Sequence, residues 1–212
     1  MSPCAPAPGG AAGAVPTGNT YDKYGSRNPL VRRLMAGFRR DLDELLALAS
    51  PSSLLDVGCG EGVLSAEFAA RPGVERVVAV DLPDPGLQAQ WELRADIPGL
   101  RFATMAAQQL AFADGEFELV AALEVLEHVE APERALAEMA RVASRWLLVS
   151  VPREPLWRAL NLARGAYVRQ LGNTPGHLNH WSRAGFERLL AGHGRIVQAR
   201  APLPWTMLLV AL

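Results

Sequence analysis

The sequence predicts an α/β protein: a seven-stranded, mostly parallel sheet with helices on both faces and an antiparallel C-terminal hairpin strand. Two observations carry this expectation. Short apolar runs of strand length alternate with helical patterns of about 10 to 15 residues through the middle of the chain, which implies βαβ units. The last stretch, GRIVQARAPLPWTMLLVAL, instead holds two strands joined by a short proline turn, which folds them into a hairpin at one sheet edge.

The elements follow in order. The first eighteen residues, MSPCAPAPGGAAGAVPTG, are almost all Pro, Ala and Gly and are set aside as a flexible tail, leaving residues 19–212 as a single domain. Asn28 and Pro29 have the chemistry of a helix N-cap and first helical position, and LVRRLMAGFRRDLDELLALA continues with apolar residues at helical spacing. SLLDV is a strand, EGVLSAEFAAR a helix, RVVAVD a strand and PGLQAQWELRA a helix. LRFAT and FELVAAL are strands, PERALAEMARVA is a helix and RWLLVSV a fifth strand. Beyond it, VPREPLWRALNLARGAYVRQL reads as helical, GNTPGHLNHW as a turn-rich loop, and SRAGFERLLAGHG as a helix capped by Ser182.

Composition narrows the class. Half of the 212 residues are apolar and a fifth are charged, as in ordinary globular proteins. The longest apolar run, WTMLLVAL, is far short of the ~20 residues that cross a bilayer. The two cysteines, Cys4 and Cys59, build no disulfide framework and suit a cytoplasmic location. Net charge is −1, yet residues 151–212 carry eight arginines against Glu154 and Glu187. That asymmetry fits either an anionic partner or an arginine-rich surface, the latter in keeping with a single lysine, Lys23, in the whole chain.

The loop after the first strand, in SLLDVGCGEG, is the strongest local signal. In open α/β sheets, ligands bind beyond the carboxyl ends of the strands, where the order reverses. A phosphate P-loop requires Gly-Lys-Ser/Thr at its end, and none follows. A dinucleotide fingerprint starting at Gly58 needs glycine at position 63, where Val63 stands, and Asp56 would repel a pyrophosphate. The same carboxylate suits a ligand that carries a cationic amino group.

An acidic residue followed by Gly-x-Gly-x-Gly, with a second Asp closing strand two, resembles the class I S-adenosylmethionine-dependent methyltransferases, particularly the small-molecule enzymes of the ubiquinone-biosynthesis O-methyltransferase type. The likeness runs from about Tyr21 to His193. It implies a Rossmann-like fold and S-adenosyl-L-methionine as cofactor, held by Asp56, Gly58, Cys59, Gly60 and Gly62. It further implies that Asp81 accepts from the ribose hydroxyls, that Leu82 packs on the adenine, and that Leu123 borders the site. The family's acidic residue after strand three aligns with Ala106, so backbone near Ala107 or the Gln108 side chain takes over the adenine amino group. Tyr21, with Tyr24 nearby, belongs to an N-terminal segment that covers the cofactor in similar enzymes.

Methyl transfer from a sulfonium needs alignment, exclusion of water and, for a hydroxyl acceptor, removal of a proton. After strand four, ALEVLEHVEAPE supplies Glu124, Glu127 and His128. In a helical turn these stand at i, i+3 and i+4 on one face. GHLNHW adds His177 and His180 downstream. The combination resembles the metal-using ubiquinone O-methyltransferases and the small-RNA 3′-terminal 2′-O-methyltransferases. It implies Glu124, Glu127, His128 and His177 as ligands of magnesium or another divalent ion, which lowers the pKa of the attacked hydroxyl. Similar sequences without metal use the histidine as a cap or a base, which leaves His128, His177 and His180 as candidate catalytic bases.

Residues 152–181 replace a short connection and are expected to cover the acceptor. Trp157, Leu160, Leu171 and Trp181 offer apolar surface; Arg153, Arg158, Arg164 and Arg169 offer positive charge. The expected acceptor is a small molecule, anionic or amphiphilic, methylated at oxygen. RNA 2′-O-methylation, N- or C-methylation of a natural product and a non-catalytic cofactor-binding homologue stand as alternatives. Nucleic acid is disfavoured by the near absence of lysine and a pI of about 6.4.

Overall fold

A computed structural model describes residues 27–212; the N-terminal tail, Cys4, Tyr21, Lys23 and Tyr24 lie outside the described residues. Helix α1 (Pro29–Ala49) starts as its sequence requires. Asn28 accepts a hydrogen bond from the Leu30 amide, and Pro29 fills a position whose missing N–H costs nothing. Strand β1 (Ser53–Val57) leads through the glycine loop into α2 (Val63–Ala69). Then come β2 (Arg76–Asp81), α3 (Pro85–Glu92), β3 (Leu100–Thr104), β4 (Phe117–Leu123), α4 (Pro132–Val142) and β5 (Ala143–Pro152). The remainder is α5 (Leu156–Ala163), α6 (Arg183–Ala191), β6 (Arg195–Arg200) and β7 (Trp205–Ala211).

The seven strands lie in the order β3-β2-β1-β4-β5-β7-β6. β1 to β5 pair in parallel, whereas β7 runs antiparallel to both β5 and β6. The expected terminal hairpin is therefore present, with its second strand inserted against β5 and its first left at the edge. Insertion buries Met207 to Val210 on both faces, which an eight-residue apolar run tolerates and the arginine-bearing β6 does not.

Alternation of side chains along each strand builds two cores. Leu54, Val77, Ala79, Leu119 and Leu209 face α1 and α2 through Phe38, Leu42 and Phe68. Their neighbours Leu55, Val78, Val120, Leu147 and Val210 face α4 and α6 through Leu136, Met139, Phe186 and Leu190. Each such leucine or phenylalanine contributes about 1.5 to 3 kcal/mol relative to its exposed state. Both layers hold β1 and β4 side by side, so the reversal of strand order falls between their carboxyl ends.

Two segments depart from the sequence expectation. The helical stretch after β5 stops at Ala163, because Gly165 and Tyr167 both take left-handed conformations; only a short 3-10 turn, Val168–Gln170, follows. The turn after β4 is helical only over Leu126–His128, and Glu124 has φ of +63°. That backbone turns Glu124 out of the spacing that would place it on one face with Glu127 and His128. No helix among the described residues is long and apolar enough to cross a membrane.

Candidate functional site

A cleft of about 880 Å³ opens at the carboxyl ends of β1 and β4. Its floor is the glycine loop. Gly58 has φ of +73°, and a Cβ there would overlap the side chain of Val125. Gly60 has φ of +55° with open space where its Cβ would be, so a ligand can approach its backbone closely. The loop is anchored from three sides. The Gly58 and Cys59 amides donate to the Val80 carbonyl, at 2.7 and 3.1 Å. The Gly60 amide donates to Asp81 Oδ2 at 2.7 Å, and Trp91 Nε1 donates to the Gly60 carbonyl at 2.8 Å. Trp91 itself stacks on Phe102, with ring centroids 5.3 Å apart.

The two aspartates occupy different settings. Asp56 is buried and accepts from Ser65 Oγ at 2.6 Å; burial outweighs that bond and pushes its carboxyl up to about 7. Asp81 is also raised by burial, against the pull of hydrogen bonds from the Gly60 and Leu82 amides. A cationic group arriving near Asp56 would reverse the first shift, which suits an amino-acid moiety better than a phosphate. Asp56, Gly58, Cys59, Gly60, Asp81, Leu82, Ala107, Gln108 and Leu123 all line the cleft. Tyr21 lies outside the described residues.

The opposite wall is stitched together by the histidine loop. The Leu178 and Asn179 amides both donate to the Glu127 carbonyl, at 2.7 and 3.1 Å. Asn179 Nδ2 donates to the carbonyls of Leu126 and Val129, at 3.0 and 2.6 Å. These bonds hold the Leu126–His128 turn against residues 176–179. As a result, one ligand atom from each of Glu127, His128 and His177 falls within 4.8 Å of the others. His128 Nδ1 lies 2.9 Å from the Gly176 carbonyl; as the donor there it leaves the lone pair on Nε2. Burial, with help from His128 and His180, lowers His177 to about 3, so its imidazole is neutral.

The other residues picked out by spacing are placed differently. Glu124 lines the cleft but its carboxylate accepts from Ser150 Oγ at 3.0 Å and from Trp205 Nε1 at 2.5 Å, apart from the Glu127, His128 and His177 cluster. His180 is exposed, bonds Asn173 Oδ1 at 2.7 Å and does not line the cleft. Trp157, Leu160 and Arg164 line it, whereas Leu171 is exposed and Trp181 packs on Phe186.

Several lining residues escaped the sequence reading. Trp205, the first residue of β7, reaches the site because that strand pairs with β5. Asn161 and Thr174 are buried polar residues that brace Trp157: Trp157 Nε1 donates to Thr174 Oγ1 at 2.9 Å, and Asn161 Nδ2 donates to the same oxygen at 3.2 Å. The amino half of α1 adds Leu30, Val31, Leu34 and Met35. The exposed apolar start of that helix is a signal the periodicity carried.

Comparison with known proteins bears on the family and the fold. The family described as "Methyltransferase domain" matches residues 55–145, from the end of β1 to the start of β5. A ubiquinone biosynthesis O-methyltransferase of Pseudomonas paraeruginosa is 30% identical over 163 residues, 69% of this chain and 68% of that enzyme. Another, from Albidiferax ferrireducens, is 34% identical over 124 residues, 56% of this chain and 48% of that protein. The matched part thus spans about half the length of some curated relatives. Among solved structures, magnesium protoporphyrin IX methyltransferase from Synechocystis, with bound SAH, superposes with a TM-score of 0.63. It is 21% identical and covers 88% of this chain and 89% of its own. The chain belongs to the class I S-adenosylmethionine-dependent methyltransferases. Its relatives by sequence include enzymes named for O-methylation in ubiquinone biosynthesis and a norajmaline N-methyltransferase of Rauvolfia serpentina, 32% identical over 121 residues, 51% of this chain and 41% of that enzyme.

Proposed function

We propose that this chain transfers a methyl group from S-adenosylmethionine to an oxygen of a small-molecule acceptor, with a divalent ion as part of the acceptor site. The carrying observation is the cluster of Glu127, His128 and His177 ligand atoms in the same cleft as the glycine loop. The O-methyltransferase names of most of the relatives matched support oxygen as the accepting atom.

The donor set fits a metal. One carboxylate and two imidazoles suit a transition ion such as manganese, zinc or iron at least as well as magnesium, which favours oxygen ligands. The Gly176 carbonyl against Nδ1 orients the His128 ring, and His177 is already neutral. Glu127, His128 and His177 would hold the ion, which when bound supplies Lewis acidity that favours ionisation of a coordinated acceptor hydroxyl. The chain's own work is alignment. Gly58 and Gly60 let the cofactor lie close to the backbone, Asp56 faces its amino group, and Asp81 has carboxylate lone pairs left for the ribose. Residues 152–181 wall the acceptor side with Trp157 and exclude water, which an in-line displacement needs more than it needs further catalysis.

The test is radiolabelled methyl transfer to simple catechols, with and without EDTA, on wild type and Glu127→Ala. Turnover is expected to vanish in chelator, to return with added divalent ion, and to be absent from Glu127→Ala. Full turnover in EDTA would reject the metal and pass proton removal to His128 or His177.

A further inference from the structure

We infer that Arg164 selects an acceptor that carries an acidic arm on an aromatic ring. The inference rests on the acceptor-site reading above and deepens it. Arg164 is the one lysine or arginine among the described residues that line the cleft. The carboxylates lining the same space are Asp56, Glu61, Asp81, Glu124, Glu127 and Glu130. Apart from the ion proposed at Glu127, His128 and His177, this guanidinium is the one permanently charged cation that an anionic acceptor meets along the described lining.

Arg164 is held in place by a neutral group. Its Nε and Nη2 donate to Asn161 Oδ1, at 3.1 and 2.8 Å, and no carboxylate of the described residues is paired with it. The charge is therefore not cancelled, and the Nη1 group stays available for a ligand. Asn161 is itself fixed: it is buried, and its Nδ2 donates to the Gly172 carbonyl at 2.8 Å and to Thr174 Oγ1. Thr174 Oγ1 also accepts from Trp157 Nε1. One hydrogen-bonded chain thus ties the cation to the indole that stacks on His177, with ring centroids 5.9 Å apart. Tyr167 flanks the guanidinium, its ring centroid 5.9 Å from Cζ. A preoriented fork of this kind recognises a carboxylate with better geometry than a lysine would.

Spacing sets the shape of the ligand. Arg164, the residue that ends α5, stands seven residues beyond Trp157, which at ~1.5 Å per residue is roughly 10 Å along the helix axis. The ring belongs beside Trp157 and Trp205, whose centroids are 6.2 Å apart, and the acid belongs a few bonds further out. A carboxylate on a short side arm spans that interval better than one attached directly to the ring.

The test uses 3,4-dihydroxycinnamate and its uncharged methyl ester as probes. Each is titrated into the full chain saturated with S-adenosylhomocysteine, with tryptophan fluorescence and calorimetry as readouts. Wild type is expected to bind the acid about tenfold or more tightly than the ester. Arg164→Gln should weaken the acid by about that factor and leave the ester unchanged, Arg164→Lys should fall between, and Arg188→Gln on α6 should match wild type. The ester reports that the variant site is still folded. Equal effects on both probes, or no effect on either, overturn the role of Arg164. Binding of neither probe to wild type overturns the acceptor-site reading and this inference with it.

Discussion

Alanine at Gly58 and alanine at Gly60 should fail in different ways, although the two glycines share one loop and one backbone conformation. At φ of +73° and +55° both substitutions place an L-residue in the left-handed region, which costs roughly 1 to 2 kcal/mol each. At Gly58 the new methyl also overlaps Val125, and overpacking of that kind adds about 1 to 3 kcal/mol. Gly58→Ala is therefore expected to lose about 2 to 5 kcal/mol, or roughly 5 to 15 °C in melting temperature for a chain of this size. At Gly60 no atom stands within 4 Å of the new methyl, so stability should fall only by the backbone strain. The cost there appears on binding, because the methyl occupies the space a cofactor needs. S-adenosylhomocysteine affinity should drop about 10- to 100-fold. Thermal unfolding without ligand and calorimetric titration with it separate the two. Wild-type affinity in Gly60→Ala would refute the assignment of this loop as the cofactor's seat.

Three further outcomes follow from the site's charges. Burial lifts Asp56 from 3.8 to about 7, so the folded protein holds an extra proton between those values. Stability from this group is fullest below pH 4 and declines as pH rises through 7, by at most ~4 kcal/mol, a slope that Asp56→Asn should remove from melting curves. A cationic amino group favours the ionised form, so S-adenosylhomocysteine affinity should fall by about tenfold from pH 8 to pH 6 in wild type and stay level in Asp56→Asn; a level profile in wild type would sink the pairing. Glu124→Gln should weaken the bonds to Ser150 and Trp205, costing about 1 to 3 kcal/mol in stability, while manganese affinity followed by electron paramagnetic resonance stays within twofold. A large loss of manganese affinity would return Glu124 to the ligand set that the E-x-x-E-H spacing suggests.

The convergence of the glycine loop and Asp81 on one cleft was legible because its information is local. Asp56, Gly58, Gly60 and Asp81 sit at the ends of two adjacent parallel strands, and the register that pairs Asp56 with Ala79 brings both carboxylates to one edge. Strand ends are set by the same apolar runs that a reading of period finds. Past the departure at Ala106, Ala107 and Gln108 line the same cleft. Helix boundaries were less legible. The stretch after β5 has helical apolar spacing through Leu171, but Gly165 and Tyr167 in left-handed conformations end it early, a backbone choice that periodicity does not encode.

The opposite wall, with Glu127, His128 and His177, was legible only in part, because contacts distant in sequence decide it. Glu127 and His177 meet only because the amides of Leu178 and Asn179 and the side chain of Asn179 close on the Leu126–His128 turn. Nothing in the spacing of EVLEHV says that Glu124 turns away while Glu127 stays. The reason lies on another strand: β7 inserts beside β5, and its first residue, Trp205, presents an indole N–H to Glu124 while Ser150 of β5 donates from the neighbouring register position. A carboxylate held by two such donors must give both up to join a metal, at a cost comparable to the hydrogen bonds lost. The same insertion carries Trp205 to the wall shared with Trp157, so the strand order that closes the sheet also shapes the acceptor side. The proposed acceptor wall therefore depends on pairing at the far edge of the sheet as much as on the motifs that border the cleft.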